Sequence, residues 1–459
     1  MRTALLSVCV LLFACGEAED KSDAGTIVLP PPACTGFADT PESWPIAAPL
    51  IADYFMLSSD GLGQYWSLLD FDGDGLPDLI QHAHGNHDDA EAMGSHLYVW
   101  LNTGAGFSDR IDWTLPFDHR ELDGLHAANS VELVMDIDGD GDVDLVRAQD
   151  PETRDVFGAD TVPHWKVWKG DGATGFSSEA VDWALPDVGR MDSVHQRGWS
   201  TVRDIDGDGV VELVHTRSET NHPHGWEDGH SHWRVYRLDG DGFSQTYEEW
   251  SLPDSPEGYG NEFVSWTDDS YFTSTALDVT GDGLPDLVNP RTWQWPNDVW
   301  GADNGNYHWK VYENTGTGFA ANPTNWSVPH AVFDNPSEAG DRLYPTSDTF
   351  RTMDLMAERP ALVLAADPET GDGFIEDGGP VWAAFRNTGV GFENQHTSWT
   401  VPDTVFDTFW HLDARVTEGW VTTDMNGDGC QDLVLTAGLD LLRPTDEDTL
   451  WNWWVYLGE

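Results

Sequence analysis

DFDGDGLPD, residues 70–78, decides how this chain folds, because the stretch recurs. It returns as DIDGDGDVD (136–144), DIDGDGVVE (204–212), DVTGDGLPD (278–286) and DMNGDGCQD (424–432). A decayed copy, DLMAERPAL, occupies 354–362. The first Asp residues are separated by 66, 68, 74, 76 and 70 residues. Self-similarity at a period of this size is the signature of a repeat architecture, in which each unit buries its apolar face only against its neighbours.

Each unit reads as four strands. One precedes the acidic loop, as in Trp420-Val421-Thr422-Thr423. A second follows it, as in Asp144-Leu145-Val146. The third alternates polar and apolar residues, as in HWKVW (164–168), HWRVY (232–236) and HWKVY (308–312). The fourth opens on Gly-Phe and closes on Trp-x-Leu/Val-Pro. Period-two alternation, β-branched and aromatic residues and Gly-rich bounds all indicate β-structure. The turns NTGAG (102–106), NTGTG (314–318) and NTGVG (387–391) have the composition of tight hairpins. The expected fold is an all-β propeller of six four-stranded blades. Long inserts around 254–275 and 330–350 leave room for a seventh.

The chain ends predict how the ring closes. The last repeat stops after Trp453-Trp454-Val455-Tyr456 and lacks a fourth strand, whereas Gly36-Phe37 and Trp44 form an orphan fourth strand before the first acidic loop. The N-terminal strand is therefore expected to complete the last blade. The periodic Trp and Phe residues are expected to pack between blades.

The acidic loops have the donor pattern of a hard-cation site. Positions 1, 3, 5 and 9 supply oxygens, position 7 a backbone carbonyl, and position 6 is Gly. The candidate ligands are Asp70, Asp72, Asp74, Leu76 and Asp78, then Asp136, Asp138, Asp140, Asp142 and Asp144. Asp204, Asp206, Asp208, Val210 and Glu212 form the third set, and Asp278, Thr280, Asp282, Leu284 and Asp286 the fourth. Asp424, Asn426, Asp428, Cys430 and Asp432 complete them. Unlike an EF-hand, the loops lack a Glu at position 12 and flanking helices. The plainer reading is an Asp-Gly turn, but several carboxylates so close together repel one another without a cation. About five calcium ions are expected, one for each intact loop. The decayed copy, with Met356, Arg359 and Leu362 at key positions, is expected to be metal-free.

The loops, the Gly-Phe turns and the period resemble the FG-GAP/VCBS repeat family, which includes integrin α-chain propellers. The resemblance covers roughly residues 36–459 and implies a calcium-stabilised propeller in a surface or extracellular protein. Functions in that family are diverse, so the fold alone does not assign one.

Composition narrows the partners. With 81 acidic and 22 basic residues the formal charge is −59, a field that repels nucleic acid. Residues 1–15, MRTALLSVCVLLFAC, read as a secretory signal whose end resembles a bacterial lipobox. The two outcomes are lipidation of Cys15 or simple cleavage. Residues 16–35 read as an acidic, Pro-rich tether, and 36–459 as the propeller. An exported monomer follows, held at the outer membrane or cell surface by a lipid anchor, or secreted. In an oxidising compartment Cys34 and Cys430 are either a disulfide locking the N-terminus to the last blade or two free thiols.

Strand parity places the acidic loops and NTG turns on one face and the long connections on the other, where binding sites usually lie. Trp226, Trp293, Trp295, Trp300 and Tyr307 lie in those connections, with His84, His224 and His230 nearby in sequence. They are candidate contacts for an extracellular glycan or protein; the bland reading is that they pack their own loops. His96, His164, His232 and His308 recur just before strand three, as transition-metal ligands or as inherited strand-entry residues. No G-x-S-x-G, H-E-x-x-H or P-loop is present. The two functional expectations are a binding or adhesion module and a secreted glycan-acting lyase or hydrolase. The second requires a deep pocket holding a strongly shifted carboxylate or His.

Overall fold

Stretches that alternate across a pleat and are bounded by Gly-rich turns form strands that pair with their sequence neighbours, and here they do so six times. The computed structural model describes residues 34–47, 66–82, 93–118, 131–158, 161–172, 174–187, 194, 200–215, 232–252, 275–289, 306–329, 350–356, 359–365, 374–376, 379–402, 420–435 and 451–459. All belong to one compact unit, Pro32–Glu459. The predicted signal, Cys15 and nearly all of the tether lie outside the described residues. Among the described residues, no helix is long and apolar enough to cross a membrane.

The protein is a six-bladed β-propeller with antiparallel blades. Blade one comprises Trp66–Leu69, Asp78–Gln81, His96–Trp100 and Ile111–Thr114; blade two comprises Glu132–Met135, Asp144–Arg147, His164–Trp168 and Val181–Ala184. Blade three comprises Ser200–Arg203, Glu212–His215, His232–Tyr236 and Glu248–Ser251; blade four comprises Thr275–Leu277, Asp286–Asn289, His308–Tyr312 and Thr324–Ser327. Blade five contains Phe350–Met353, Ala361–Leu364, Gly379–Phe385 and Thr397–Thr400, with an additional strand, Phe374–Glu376, paired to the long third one. The sequence pattern did not announce that extra strand. Most of 254–275 and 330–350, where a seventh blade had room, lies outside the described residues.

Blade six is made from both ends of the chain. Trp420–Thr423, Asp432–Leu435 and Trp451–Tyr456 are completed by Glu42–Ile46, which runs antiparallel to Trp451–Tyr456 with Trp44 opposite Trp453. Closure by the N-terminal strand is as the sequence predicts. Cys34 and Cys430 form a disulfide with Cα atoms 5.8 Å apart, fastening the segment ahead of this strand to the acidic loop of the same blade.

Among the described residues the core is made of six apolar clusters, each shared by two adjacent blades. Their common device is an aromatic joint. In five blades the third and fourth strands set two Trp residues opposite each other, as in Trp165 with Trp183 and Trp309 with Trp326, whereas in blade one Leu97 lies opposite Trp113. The Phe of the next blade meets this pair edge-on. Phe243 lies 6.0 and 6.1 Å from Trp165 and Trp183, and Phe319 lies 5.2 and 5.6 Å from Trp233 and Trp250. Phe107 meets Trp44 and Trp453 in the same way, and Phe37 meets Trp382 and Trp399. Edge-to-face geometry is the favoured arrangement for aromatic quadrupoles.

The Gly-Phe pair does not begin the fourth-strand ladder, as the sequence reading has it. Its Phe bridges back to the preceding turn, as in Asn314 with Phe319. Its Gly bridges the fourth strand of the blade before, as in Gly242 with Ala184 and Gly36 with Thr400. Backbone contact explains the Gly: a Cβ at Gly36 would fall 1.7 Å from Thr400 Oγ1.

Two outcomes follow. Phe243→Ala empties a buried aromatic joint and is expected to cost about 3–5 kcal/mol of stability, measured by denaturant unfolding; a loss under about 1 kcal/mol would show that the joint carries little. Replacing Cys34 and Cys430 together with Ala is expected to destabilise the chain by about 2–5 kcal/mol, with thiol titration of the unreduced, denatured parent finding neither cysteine free.

Candidate metal-binding face

In each intact loop the chain reverses through two left-handed glycines, at positions 4 and 6. Gly73 and Gly75, at φ 74° and 91°, are representative. The sequence reading stressed only position 6. These turns aim backbone N–H groups at the loop carboxylates. The N–H of Gly75 donates to Asp70 Oδ2 at 3.0 Å, that of Asp74 to Asp72 Oδ1 at 3.2 Å, and that of Leu76 to Asp74 Oδ1 at 2.9 Å.

The position-9 carboxylate is the hub. Asp78 is fully buried; its Oδ2 accepts from Phe71 N at 2.8 Å and its Oδ1 from Asn102 N at 2.6 Å. Asp286 and Asp432 repeat the pattern, with Asn314 N at 2.9 Å and Gly458 N at 2.7 Å. One carboxylate thus ties together the acidic loop, the second strand and the 3–4 turn, which places both connections on one face. Asn102 Nδ2 then donates to the Met425 carbonyl of blade six at 2.9 Å. Asn314 and Asn387 do the same to Ile205 and Val279, each in the blade before.

Of the predicted ligands, the structure brings together positions 1, 3 and 9. Carboxylate oxygens of Asp70, Asp72 and Asp78 lie within 4.8 Å of one another, as do those of Asp136, Asp138 and Asp144, and of Asp204, Asp206 and Glu212. Three hard oxygens at that spacing suit a divalent cation such as calcium. The blade-four and blade-six loops have Thr280 and Asn426 at position 3, neutral oxygens instead of carboxylates. Position-5 carboxylates stand outside the three sets and accept the position-7 N–H, as Asp282 does from Leu284 and Asp428 from Cys430. Position-7 side chains have a packing role not foreseen from the sequence. Leu284 lies so close over Gly207 of blade three that a Cβ there would meet its Cδ2 at 2.5 Å, and Leu76 covers Gly427 similarly.

Burial charges these hubs unfavourably. It pushes Asp78 and Asp432 up to about 7, Asp144 and Asp286 to about 6, and Glu212 to about 8, although backbone N–H donors pull each the other way.

Basic side chains also reach the face, which motif reading missed. Lys169 Nζ bonds Asp138 at 2.5 Å and Asp144 at 3.1 Å. Arg237 bonds Asp206 and lies 3.7 Å from Glu212. Arg359, in the decayed copy, donates from Nε to the Thr280 carbonyl of blade four at 2.7 Å, and Leu362 is buried where the hub carboxylate would stand. The available signal was positional: Lys169 and Arg237 each directly follow the third strand, where the first and last blades have Leu101 and Leu457.

Other candidates fare differently. Trp226, Trp293, Trp295 and Trp300, and His84, His224 and His230, lie outside the described residues. Tyr307 is buried in the core shared by blades four and five, so it serves packing and not an exposed contact. The strand-entry histidines make local bonds: His164 Nδ1 lies 3.0 Å from the Val162 carbonyl and His308 Nδ1 2.8 Å from that of Asn306. Among the described residues, the groups able to hold a metal contain no histidine.

No family model matches this chain, and no curated protein does. Among solved structures, it is similar to a chain of the Photorhabdus luminescens Tc holotoxin pore at 16% identity and TM-score 0.49. That match covers 92% of this chain but only 15% of the other. An Agrocybe aegerita lectin recognising non-reducing terminal N-acetylglucosamine matches at 17% identity and TM-score 0.41, covering 87% of this chain and 84% of the lectin. A GH43_1 enzyme from Xanthomonas citri, complexed with xylotriose, matches at 14% identity and TM-score 0.31, covering 78% and 94%.

The raised hub pKa values set a pH dependence in metal-free protein. A folded pKa above the unfolded value of about 4 means that the native state binds more protons between the two, so stability falls as pH rises across that window. In chelator, the melting temperature is expected to fall as pH rises from about 5 to about 8; added calcium, which favours the charged carboxylates, is expected to offset the fall. Paired thermal melts check this, and a chelated protein that melts at one temperature across the window would contradict it.

Proposed function

We propose that this protein is a calcium-stiffened binding module, exported and carried at the cell surface or secreted, that recognises an extracellular glycan or protein through the face opposite its acidic loops. The observation that carries the reading is the unequal use of the two faces. One is filled by converging carboxylates and stitched across blades by Asn102, Asn314 and Asn387. At the other, the second strand ends on a polar residue in four successive blades: Gln81, Arg147, His215 and Asn289. The first three are buried, and Arg147 pairs with buried Glu132 at 2.8 Å. From those ends the chain enters the long connections, and scaffold-borne connections of this kind are where proteins place recognition. The resemblance of the loops to FG-GAP/VCBS repeats supports the same reading, with calcium as the expected cation and an N-terminal lipid at Cys15 as the expected anchor.

The test is a binding screen of the calcium-loaded full chain against glycan arrays and surface-protein panels. Trp293, Trp295 and Trp300 replaced together with Ala are expected to abolish the interaction while leaving the melting temperature nearly unchanged. Binding that survives the triple substitution would place recognition elsewhere, and collapse of the fold would make these side chains part of the loop packing.

A further inference from the structure

The acidic loops are alike in sequence but not in what fills them. In blade two the Lys169 ammonium lies between Asp138 and Asp144, two members of that blade's converging set, and 4.8 Å from the Trp183 ring centroid. In blade three the Arg237 guanidinium bonds Asp206 and lies 3.7 Å from Glu212, again two members of the set. Its Nε and Nη2 are held by Glu248 at 2.8 and 3.2 Å, fixing the side chain over the loop. Both residues hold the same place, one after the third strand. Leu101, Glu313 and Leu457 hold it in blades one, four and six, and none of them can supply a positive charge.

We propose that blades two and three are closed by the chain's own cations and are not calcium sites, so that calcium is taken up only by blades one, four and six. The inference rests on the reading of the acidic loops as calcium loops and divides them into two kinds. A cation bonded to position 3 and bonded to or ion-paired with position 9 supplies the charge compensation that a metal would give. It also occupies the oxygens a metal requires, and calcium binds poorly when part of its oxygen shell is withheld. Releasing Lys169 or Arg237 would leave its charge to find a new partner, so the competition is intramolecular and always at high effective concentration. Arg359 is a different case: its described bond goes to a backbone carbonyl, leaving the blade-four carboxylates to a metal.

The experiment counts calcium in the full chain by elemental analysis after exchange into calcium buffer, with calorimetric titration of chelated protein alongside. The parent is expected to hold about three ions, Lys169→Met with Arg237→Met about five, and Leu101→Lys about two. The last variant puts a cation where blade one has none, and it keeps the test alive should the double variant fail to fold. A parent holding about five ions overturns the inference and leaves the calcium reading standing, as does a folded double variant still at about three. No calcium in the parent or in any variant would remove the calcium reading itself, and this inference with it.

Discussion

A Phe edge set against the Trp of the third and fourth strands, a facing Trp pair in five blades and Trp113 opposite Leu97 in blade one, joins each blade to the one before it, and the ring exists because that joint has no end. A single repeat unit cannot bury its apolar faces alone and does so only against its neighbours. Four of the joints could form in an open chain; the fifth needs Phe37 from the N-terminal segment, and the sixth needs a fourth strand for the last blade. Glu42–Ile46 supplies it, and Trp44 then serves with Trp453 as the pair that receives Phe107 of blade one. Removing that strand would therefore damage two blades, the one it belongs to and the one that packs against it.

A second constraint acts on the acidic face. The hub carboxylates Asp78, Asp286 and Asp432 each accept backbone N–H groups from parts of the chain that must meet, so they cannot be exchanged cheaply for apolar residues. The same burial makes their charge costly, and charges of one sign gather in adjacent loops around the face. The chain relieves this in more than one way. Lys169 and Arg237 neutralise two loops from within, and blade five replaces the hub by Leu362 and drops the acidic cluster. The loops of blades one, four and six keep their carboxylates, with Leu101, Glu313 and Leu457 at the place of Lys169 and Arg237.

Much of the architecture was legible because its determinants are local and repeated. The alternation in HWKVW and its copies, the recurring Phe-to-Trp spacing and the unmatched Gly36-Phe37 were enough to infer the blades and the closure. Less legible was what depends on contacts between units. The bridge from Gly36 to Thr400 crosses blades, so the Gly looked like the start of a strand. The additional strand Phe374–Glu376 pairs with a locally lengthened neighbour, and among the described residues no other blade has a fifth strand. In the candidate site, the oxygen donors could be read from spacing, but Lys169 stands 25 residues after Asp144 and meets it only through the pairing of strands two and three. Tyr307 looked like a loop aromatic because it precedes the third strand, although tertiary packing buries it.

The disulfide has a mechanical consequence. Glu42–Ile46 is an edge strand, and a pull on its free end would unzip it one backbone hydrogen bond at a time. Cys34 precedes that strand and is bonded to Cys430 in the loop between the first two strands of blade six. Tension arriving from the N-terminal side is therefore diverted at residue 34 into the inner part of the blade and does not load the closing strand. The seam of the ring is shielded from force applied along the chain that leads into it.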